Sequence, residues 1–385
     1  LAGGKGTRIK KYLNNKPKPM VRLNRIYFLQ YLINIFSKYP LNKIFILVGY
    51  KSHIIFKSFH NKTFNFTKVI CIKEKKLMGT GGALLSLKKK KIKDFILTNG
   101  DTIFDINLTE LLKSFNKKKL GCVALAPNNK NTNNYKLNNL GIKNNVLCYK
   151  KNSKLMNGGI YFFKKEILNK IPNKPCSLEE DILPNIIKNK MLSAKIFKNF
   201  FLDIGTPKYF KVSSNKLKKY FFRPAVFLDR DGVINYDRGY VYKKNDFKFR
   251  KGVIKGLKYL TKKNYYIFII TNQAGIAKGM YSEDDFKKLH LYLKTTLSSQ
   301  NIYINDVQYC PYHPKGKIKM YRKKSLLRKP GNQMIINIFN KWLINKRKSF
   351  MIGDKESDKN CAKRSNLLFA YAKDNFFAQI KNNLK

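Results

Sequence analysis

An apolar run, Ala225-Val226-Phe227-Leu228, leads straight into Asp229-Arg230-Asp231-Gly232. Carboxylates two residues apart on an extended segment share one face. That suits a nucleophile, Asp229, beside a general acid/base, Asp231, with a divalent cation between them and a phosphate. An Asp-x-Asp pair can also open a calcium loop, but the glycine and distant glutamate that continue such a loop are missing. Further along, Ile267–Ile270 runs into Thr271-Asn272-Gln273, whose hydroxyl and amides can bind phosphate. Arg328-Lys329-Pro330 offers cations, and Phe350-Met351-Ile352 ends in Gly353-Asp354-Lys355-Glu356-Ser357-Asp358, a second set of acids. Elements of these types in this order point to phosphoryl transfer.

A second group of chemistry-bearing residues lies in the first half. Leu1-Ala2-Gly3-Gly4-Lys5-Gly6-Thr7-Arg8 is a glycine-rich loop closed by Thr-Arg. Its glycines let the backbone approach phosphate oxygens, and Arg8 adds a fixed fork of donors. Lys16-Pro17-Lys18-Pro19-Met20 follows, holding Lys18 between two stiffening prolines. Then come Gly79-Thr80-Gly81-Gly82, Asn99-Gly100-Asp101, Asn157-Gly158-Gly159 and Phe201-Leu202-Asp203-Ile204-Gly205-Thr206-Pro207. Taken singly, Asp101 and Asp203 would cap turns. In series with a phosphate loop they read as metal ligands.

These residues need strand ends to hold them. Short apolar runs at Ile44–Val48, Phe95–Leu97 and Gly159–Phe163 predict strands, and Phe28–Phe36 and Leu108–Phe115 predict helices between them. Asp101 then falls just beyond a strand's C-terminal end, where α/β folds build sites. A second α/β series runs through Ala225–Leu228, Gly252–Leu260, Ile267–Ile270, Phe286–Leu297 and Phe350–Ile352. Between the two, Val212–Arg223 is rich in Lys, Ser and Asn and reads as a helical linker ending before Pro224. The expected division is a first domain over 1–211, a linker over 212–223 and a second domain over 224–385. The opening Leu1-Ala2-Gly3-Gly4 leaves no room for a strand before the glycines, so a few preceding residues are expected to be missing.

The 385 residues, 43% of them hydrophobic, supply ample core for two domains and exclude wholesale disorder. No apolar run approaches the ~18–20 residues of a membrane span. The six cysteines are scattered without CxxC spacing and read as reduced thiols of a cytoplasmic protein. Lys+Arg number 80 against 22 Asp+Glu, a formal net charge of +58. The excess is mostly lysine, spread along the chain, and rises together with Asn, Ile, Phe and Tyr, residues of AT-rich codons. Compositional drift accounts for that better than a dedicated nucleic-acid face, and no specific nucleic-acid partner is expected.

From Leu1 to about Tyr209 the series resembles the sugar-1-phosphate nucleotidyltransferases, in particular the D-glycero-α-D-manno-heptose 1-phosphate guanylyltransferases. The resemblance implies a Rossmann-like domain in which Ala2, Gly3, Gly4, Gly6, Thr7 and Arg8 hold the triphosphate of GTP. Gly79 and its neighbours would approach base and ribose. Asp101 and Asp203 would hold Mg²⁺, Lys18 would contact phosphate, and Asn157 and Glu179 would face the sugar. Two departures stand out: Tyr135-Lys136 where relatives have Tyr-Gly, and Lys150-Lys151 where they have Glu-Lys.

From Arg223 to about Tyr371 the chain resembles the haloacid-dehalogenase phosphatases, and most of all the D-glycero-D-manno-heptose 1,7-bisphosphate 7-phosphatases. Asp237-Arg238-Gly239-Tyr240-Val241 and Thr271 through Gly279 extend the match beyond the catalytic motifs. The resemblance implies a Rossmannoid domain in which Asp229 forms an aspartyl-phosphate and Asp231 serves as acid, then base. Thr271 and Lys329 would stabilise the phosphoryl group, with Asn272 and Lys329 against the substrate and Arg328 on the sugar's second phosphate. Asp229, Asp354 and Asp231, the last through its backbone, would bind Mg²⁺. Relatives carry a structural zinc on Cys-Pro-His-His-Pro and Cys-x-Cys-Arg-Lys-Pro. Here Cys310-Pro311-Tyr312-His313-Pro314 and Ser325-Leu326-Leu327-Arg328-Lys329-Pro330 have lost three presumed ligands, so no zinc is expected. Together the halves imply a cytoplasmic enzyme of GDP-heptose synthesis, acting on GTP and heptose phosphates without membrane insertion. Two other readings stay open: a mannose-1-phosphate guanylyltransferase joined to a histidinol-phosphate-like phosphatase, or a drifted protein that binds anions or nucleic acid.

Overall fold

The computed structural model describes residues 1–128 and 139–384. Tyr135 and Lys136 lie outside the described residues. The chain divides into two compact units. One comprises Leu1–Leu32, Lys43–Lys62 and Val69–Lys216; the other comprises Ile33–Asn42, Thr63–Lys68 and Leu217–Lys385. The first two changeovers enclose Ile33–Asn42 and the next two Thr63–Lys68, and the last falls within the helix Pro207–Phe221. That helix begins five residues ahead of the helical stretch expected from composition, because Pro207 fits a first helical turn, where no backbone donor is needed. No helix among the described residues is long and apolar enough to cross a membrane.

The first unit is α/β as expected. Its main sheet orders the strands Phe95–Thr98, Leu155–Phe163, Gly121–Pro127, Leu192–Ile196, Val146–Tyr149 and Leu140–Lys143. Leu192–Ile196 runs parallel to Gly121–Pro127 while the other pairings are antiparallel. The strand expected at Gly159–Phe163 begins earlier, at Leu155, with an irregularity between Asn157 and Ile160 where Gly159 takes φ +71°. A glycine pair reads as a break in sequence, yet here it is the bulge that lets the strand continue. The first residues tie two strand ends together. Ala2 donates its N–H to Leu47 O at 2.8 Å, and Gly100 donates to Leu1 O at 2.7 Å. The glycine loop is thereby set beside Asp101.

The second unit carries a five-stranded parallel sheet in the order Asp306–Cys310, Tyr266–Asn272, Ala225–Leu228, Phe350–Gly353, Leu368–Tyr371. The three central strands alternate their fully buried residues between two cores. Val226, Leu228, Ile267 and Ile269 pack on one face with Val253, Leu257, Leu289 and Leu293, residues of the helices Val253–Lys262 and Glu283–Ser298. Phe227, Phe268, Ile270 and Met351 pack on the other with Met334, Ile335 and Cys361, residues of Gln333–Phe339 and Glu356–Arg364. Coverage of both faces is what lets a parallel sheet form from near-continuous apolar runs. All six cysteines are free thiols.

Candidate active sites

The parallel register of the second unit decides its site. Leu228 pairs with Ile269 on one side and Ile352 on the other, so the residues just beyond the strands converge at one end. Asp229 is there, 6% exposed, with its N–H on Ile352 O. Lys329 is buried and its ammonium lies 2.9 Å from Asp229 Oδ1, 2.5 Å from Asp358 Oδ1 and 3.0 Å from Ile270 O. Burial alone would lower the Lys329 pKa, but the two carboxylates overturn that and raise it. Burial pushes Asp229 up to about 7, against the pull of Lys329 and with the added repulsion of Asp358 and Asp231.

Carboxylate oxygens of Asp229, Asp354 and Asp358 lie within 4.8 Å of one another. Asp354 Oδ1 is buried with no hydrogen-bond partner among the described residues. Gly232, at φ +81°, leaves the room: a Cβ there would stand 2.4 Å from Asp354 Oδ2. An oxygen-only donor set with an orphaned buried oxygen and mutually repelling acids fits a hard divalent cation. The carboxylate of Asp231 does not join this set. It is turned onto Arg230, whose Nη2 reaches both oxygens at 2.9 and 2.8 Å, and it also accepts from Asn235 and Gln273. A contribution from Asp231 to the cation would be through its backbone.

Asp358 takes the third acidic place and was given no role by sequence reasoning. Its signal was present, four residues after Asp354 at the mouth of a helix. Its Oδ2 accepts the N–H groups of Asp354 and Lys355 while Oδ1 faces Lys329. Thr271 is buried with its hydroxyl accepting from Gln273, whose amide oxygen in turn accepts from Tyr281. Asn272 is occupied differently from expectation. Its Nδ2 donates to Lys329 O at 3.1 Å and its Oδ1 accepts Lys329 N–H at 3.0 Å, so it fastens the lysine's loop to the strand end. Arg328 Nη1 is buried and has no partner among the described residues. In the loop before it, Cys310 is buried with its thiol on Tyr312 O, and His313 Nδ1 accepts from Lys315 N–H. The loop is held by ring contacts and hydrogen bonds together: the Tyr312 and Tyr321 rings sit 6.1 Å apart, Lys323 lies 4.2 Å over Tyr312, His313 N–H donates to Tyr321 O at 3.1 Å and Arg322 Nε donates to Gly316 O at 2.7 Å.

In the first unit, antiparallel pairing of Phe201–Asp203 with Thr102–Phe104 sets Asp203 opposite Thr102, which brings two distant acids together. Thr102 donates to Asp203 Oδ2 at 2.9 Å, and Lys18, 8% exposed, reaches Asp101 Oδ2 at 2.5 Å. Burial disfavours charge on both acids. The Lys18 ammonium overcomes that for Asp101 and holds its pKa down, while Asp203, facing Asp101, rises to about 6. Lys18 and Asp101 border a cavity of about 290 Å³ lined also by Leu1–Gly6, Glu74, Leu77, Gly79, Thr80 and Asn99, among others, whereas Asp203 is not among its lining residues. The backbone N–H groups of Gly3, Gly4, Lys5 and Gly6 donate to no protein acceptor among the described residues. With Gly6 at φ +65°, they form the kind of concavity that takes an anion.

Not every expected residue faces that cavity. Thr7 opens a short helical turn, Thr7–Tyr12, and neither it nor Arg8, which is exposed, lines the cavity. Asn157 spends Nδ2 on the Tyr161 hydroxyl and Oδ1 on Gly159 N–H. Glu179 accepts from Thr80, fixing the Gly79–Gly82 turn. Gly79, at φ +74°, is pressed so closely on Cys176 O that a Cβ would stand 2.4 Å away. Lys150 and Lys151 are exposed.

Comparison with known proteins sorts the two halves. The nucleotidyl transferase family model matches residues 1–219, and one described as polynucleotide kinase 3 phosphatase matches residues 226–382. A D-glycero-beta-D-manno-heptose-1,7-bisphosphate 7-phosphatase of Rhodopseudomonas palustris is 43% identical over 145 residues, 38% of this chain and 81% of the relative. The protein of that name from Escherichia coli K12 is 36% identical over 144 residues, 37% of this chain and 75% of its own length. Among solved structures, HddC from Yersinia pseudotuberculosis in complex with GMP-PN is 28% identical, covering 57% of this chain and 97% of its own, with a TM-score of 0.48.

Proposed function

Because the chain belongs to the nucleotidyl transferase family over residues 1–219 and, through its 145-residue match, to the D-glycero-beta-D-manno-heptose-1,7-bisphosphate 7-phosphatases, we propose that it is a bifunctional enzyme of GDP-heptose synthesis. The phosphatase half removes the 7-phosphate of D-glycero-D-manno-heptose 1,7-bisphosphate. The transferase half couples the resulting heptose 1-phosphate to GTP and releases pyrophosphate. The observation that carries the reading is the co-occurrence in one chain of the Asp229–Lys329–Asp358 cluster, in a half that resembles heptose phosphatases, with a nucleotidyltransferase domain. The heptose relatives favour a sugar phosphate over a polynucleotide end, despite the description of the second family model.

In the phosphatase, an Asp229 oxygen attacks phosphorus, and the bond to the sugar oxygen breaks as Asp231 gives that oxygen a proton. Asp231 then takes a proton from the water that hydrolyses the aspartyl-phosphate. Arg230, Asn235 and Gln273 orient Asp231 from three sides. Thr271 and Lys329 face the phosphoryl oxygens, and Arg328, with its unpartnered Nη1, is suited to the second phosphate. Asp229, Asp354 and Asp358 are the side chains that would hold Mg²⁺, which when bound offsets the charge gathered on the phosphoryl group.

In the transferase no protein nucleophile is required. An oxygen of the sugar 1-phosphate attacks the α-phosphorus of GTP in line and pyrophosphate departs. The unpaired N–H groups of Gly3 to Gly6 cradle the phosphates, Lys18 neutralises developing charge, and Asp101 with Asp203 would hold Mg²⁺. The deciding experiment supplies each anomer of heptose 1,7-bisphosphate with GTP and Mg²⁺ and follows products by mass spectrometry. GDP-heptose is expected. Heptose 1-phosphate accumulating alone would refute the transferase assignment, and unchanged bisphosphate would refute the phosphatase.

A further inference from the structure

Six residues of the second unit come from far upstream in the sequence. Thr63–Lys68 belongs to that unit, yet it lies inside the span matched by the nucleotidyl transferase family model. Thr63 pairs with Lys68 and Phe64 with Thr67, so Asn65 and Phe66 form a two-residue hairpin turn. Both take positive φ, +44° and +64°. Such turns favour Asn followed by Gly, because any side chain on the second residue is held in the left-handed region at a cost. Phenylalanine in that place points to a ring whose contacts offset the cost. The turn is seated by its first residue. Asn65 Nδ2 donates to Ile304 O at 2.9 Å, and Asn65 O accepts from the buried Lys294 Nζ at 2.8 Å. Phe286, His290 and Lys294 recur at four-residue intervals on the helix Glu283–Ser298 and so share one face. Lys294 fixes the turn to that face, and the Phe66 ring lies 5.2 Å from the His290 ring and 5.9 Å from the Phe286 ring, centre to centre.

The residues that Phe66 touches are those that hold the supports of Asp231. Arg230 is fully buried, with Nη2 on Asp231 and on Val241 O, while Nη1 has no hydrogen-bond partner among the described residues. What the guanidinium has besides is the Phe286 ring, 5.4 Å from its central carbon. Gln273 is the second support. Its Nε2 donates to Asp231 Oδ2 at 3.0 Å, and its amide oxygen accepts from the Tyr281 hydroxyl at 2.5 Å. Ile276, Tyr281 and Phe286 form one buried cluster, and half-buried Phe66 packs against it alongside Tyr242, Tyr309 and Tyr321. Both arms that orient Asp231 therefore rest on a cluster that Phe66 helps to close. We propose that Phe66 is a positioning residue of the phosphatase, holding Asp231 in place through Phe286 with Arg230 and through Tyr281 with Gln273. The inference rests on reading Asp231 as the acid and base of that reaction, and it adds a residue that lies outside every phosphatase motif in the chain.

The test measures release of the 7-phosphate from heptose 1,7-bisphosphate with Mg²⁺, using the full chain as wild type, Phe66→Ala, Asp231→Asn and the double variant. Phe66→Ala is expected to lower kcat about tenfold with KM within about twofold, a part of the roughly 10²–10⁴-fold that a general acid contributes. Once Asp231 has lost its proton there is nothing left to position. Adding Phe66→Ala to Asp231→Asn should then change the residual rate by less than about twofold, the behaviour of two residues that act as one unit. GDP-heptose formation from supplied heptose 1-phosphate should stay within about twofold in Phe66→Ala, as expected of a site that shares no partner with it. A comparable fall in the Asp231→Asn background would show that Phe66 acts by another route and would overturn the proposal. An unchanged kcat in Phe66→Ala would overturn it as well. Both results leave the phosphatase assignment intact, whereas full activity in Asp231→Asn would refute the role of Asp231 and this inference with it. If Phe66→Ala does not fold, Phe66→Leu, which keeps apolar volume without a ring, replaces it. A fall in kcat of about threefold is then expected, the scale of one aromatic contact, and its absence or its persistence beside Asp231→Asn refutes the proposal.

Discussion

The two sites of this chain solve the problem of handling phosphate in opposite ways. In the phosphatase half the groups assigned to the chemistry, Asp229, Asp231 and Lys329, are already engaged by protein, while Asp354 Oδ1 and Arg328 Nη1 are left without a partner among the described residues. Lys329 lies between Asp229 and Asp358, Asn272 grips the Lys329 backbone at both ends, and Asp231 is surrounded by donors. In the transferase half the groups proposed to face phosphate are backbone N–H donors with no protein acceptor among the described residues, beside the Lys18–Asp101 pair. The difference follows the chemistry. A reaction with a protein nucleophile must fix that nucleophile before substrate arrives. A reaction between two bound substrates needs a mould, and a mould keeps its donors free.

Substitutions can test that contrast, beginning with the largest effect. Asp229→Asn should abolish release of the 7-phosphate, a loss of about 10⁴-fold or more for a missing nucleophile. GDP-heptose formation from supplied heptose 1-phosphate should remain within twofold of wild type. Loss of both activities together would break the comparison, since the two sites would then not act separately.

Lys329→Met should be nearly as damaging to the phosphatase and should also cost stability. Removing the ammonium leaves Asp229 and Asp358 facing each other in a buried site, and breaking a buried pair costs about 3–5 kcal/mol. Urea unfolding should show an early transition for the variant, partly restored by Mg²⁺. The equivalent cut on the other side, Asp101→Asn, should lower transferase turnover by about 10²–10³-fold, the scale of lost transition-state electrostatics. Its unfolding midpoint should move less, since the Asp101 side chain keeps about a third of its exposure. Equal destabilisation by both variants would show that the transferase site is as tightly knit as the other.

How much of this could be read from the sequence follows the same division. Asp229, Thr271 and Asp354 were legible because each ends an apolar run, and parallel strands deliver their ends to one place. Asp101 and Asp203 were legible through the ordered glycine motifs around them. Asp358 was visible as an acid but its role was not, because that role is set by Lys329, which reaches it only in the fold. Arg8, Asn157 and Glu179 illustrate the converse. Their types suit a nucleotide-sugar site, yet Arg8 is exposed and the other two hold neighbouring backbone or side chains in place.

The smallest expected effects concern residues that hold a catalytic group without touching substrate. Asn272→Ala removes both hydrogen bonds to the Lys329 backbone, and each such bond contributes about 1 kcal/mol. Phosphatase kcat should fall about tenfold, with KM changed less, because the lysine is still present but less well placed. Tyr321→Ala goes one step further out. Its ring packs on Tyr312 and its backbone carbonyl accepts from His313 N–H, within the loop that leads to Arg328 and Lys329. The backbone bond survives the substitution, while the ring's contacts with Tyr312 and with the cluster of Ile276, Tyr281 and Phe286 are lost, the aromatic pair alone worth about 0.5–1.5 kcal/mol. A roughly two- to fivefold fall in phosphatase activity is expected, with no change in GTP-dependent turnover. If Tyr321→Ala instead cost as much as Lys329→Met, the aromatic packing would be the main fastening of this loop. The contrast between the sites would then rest less on buried charge than on how each loop is closed.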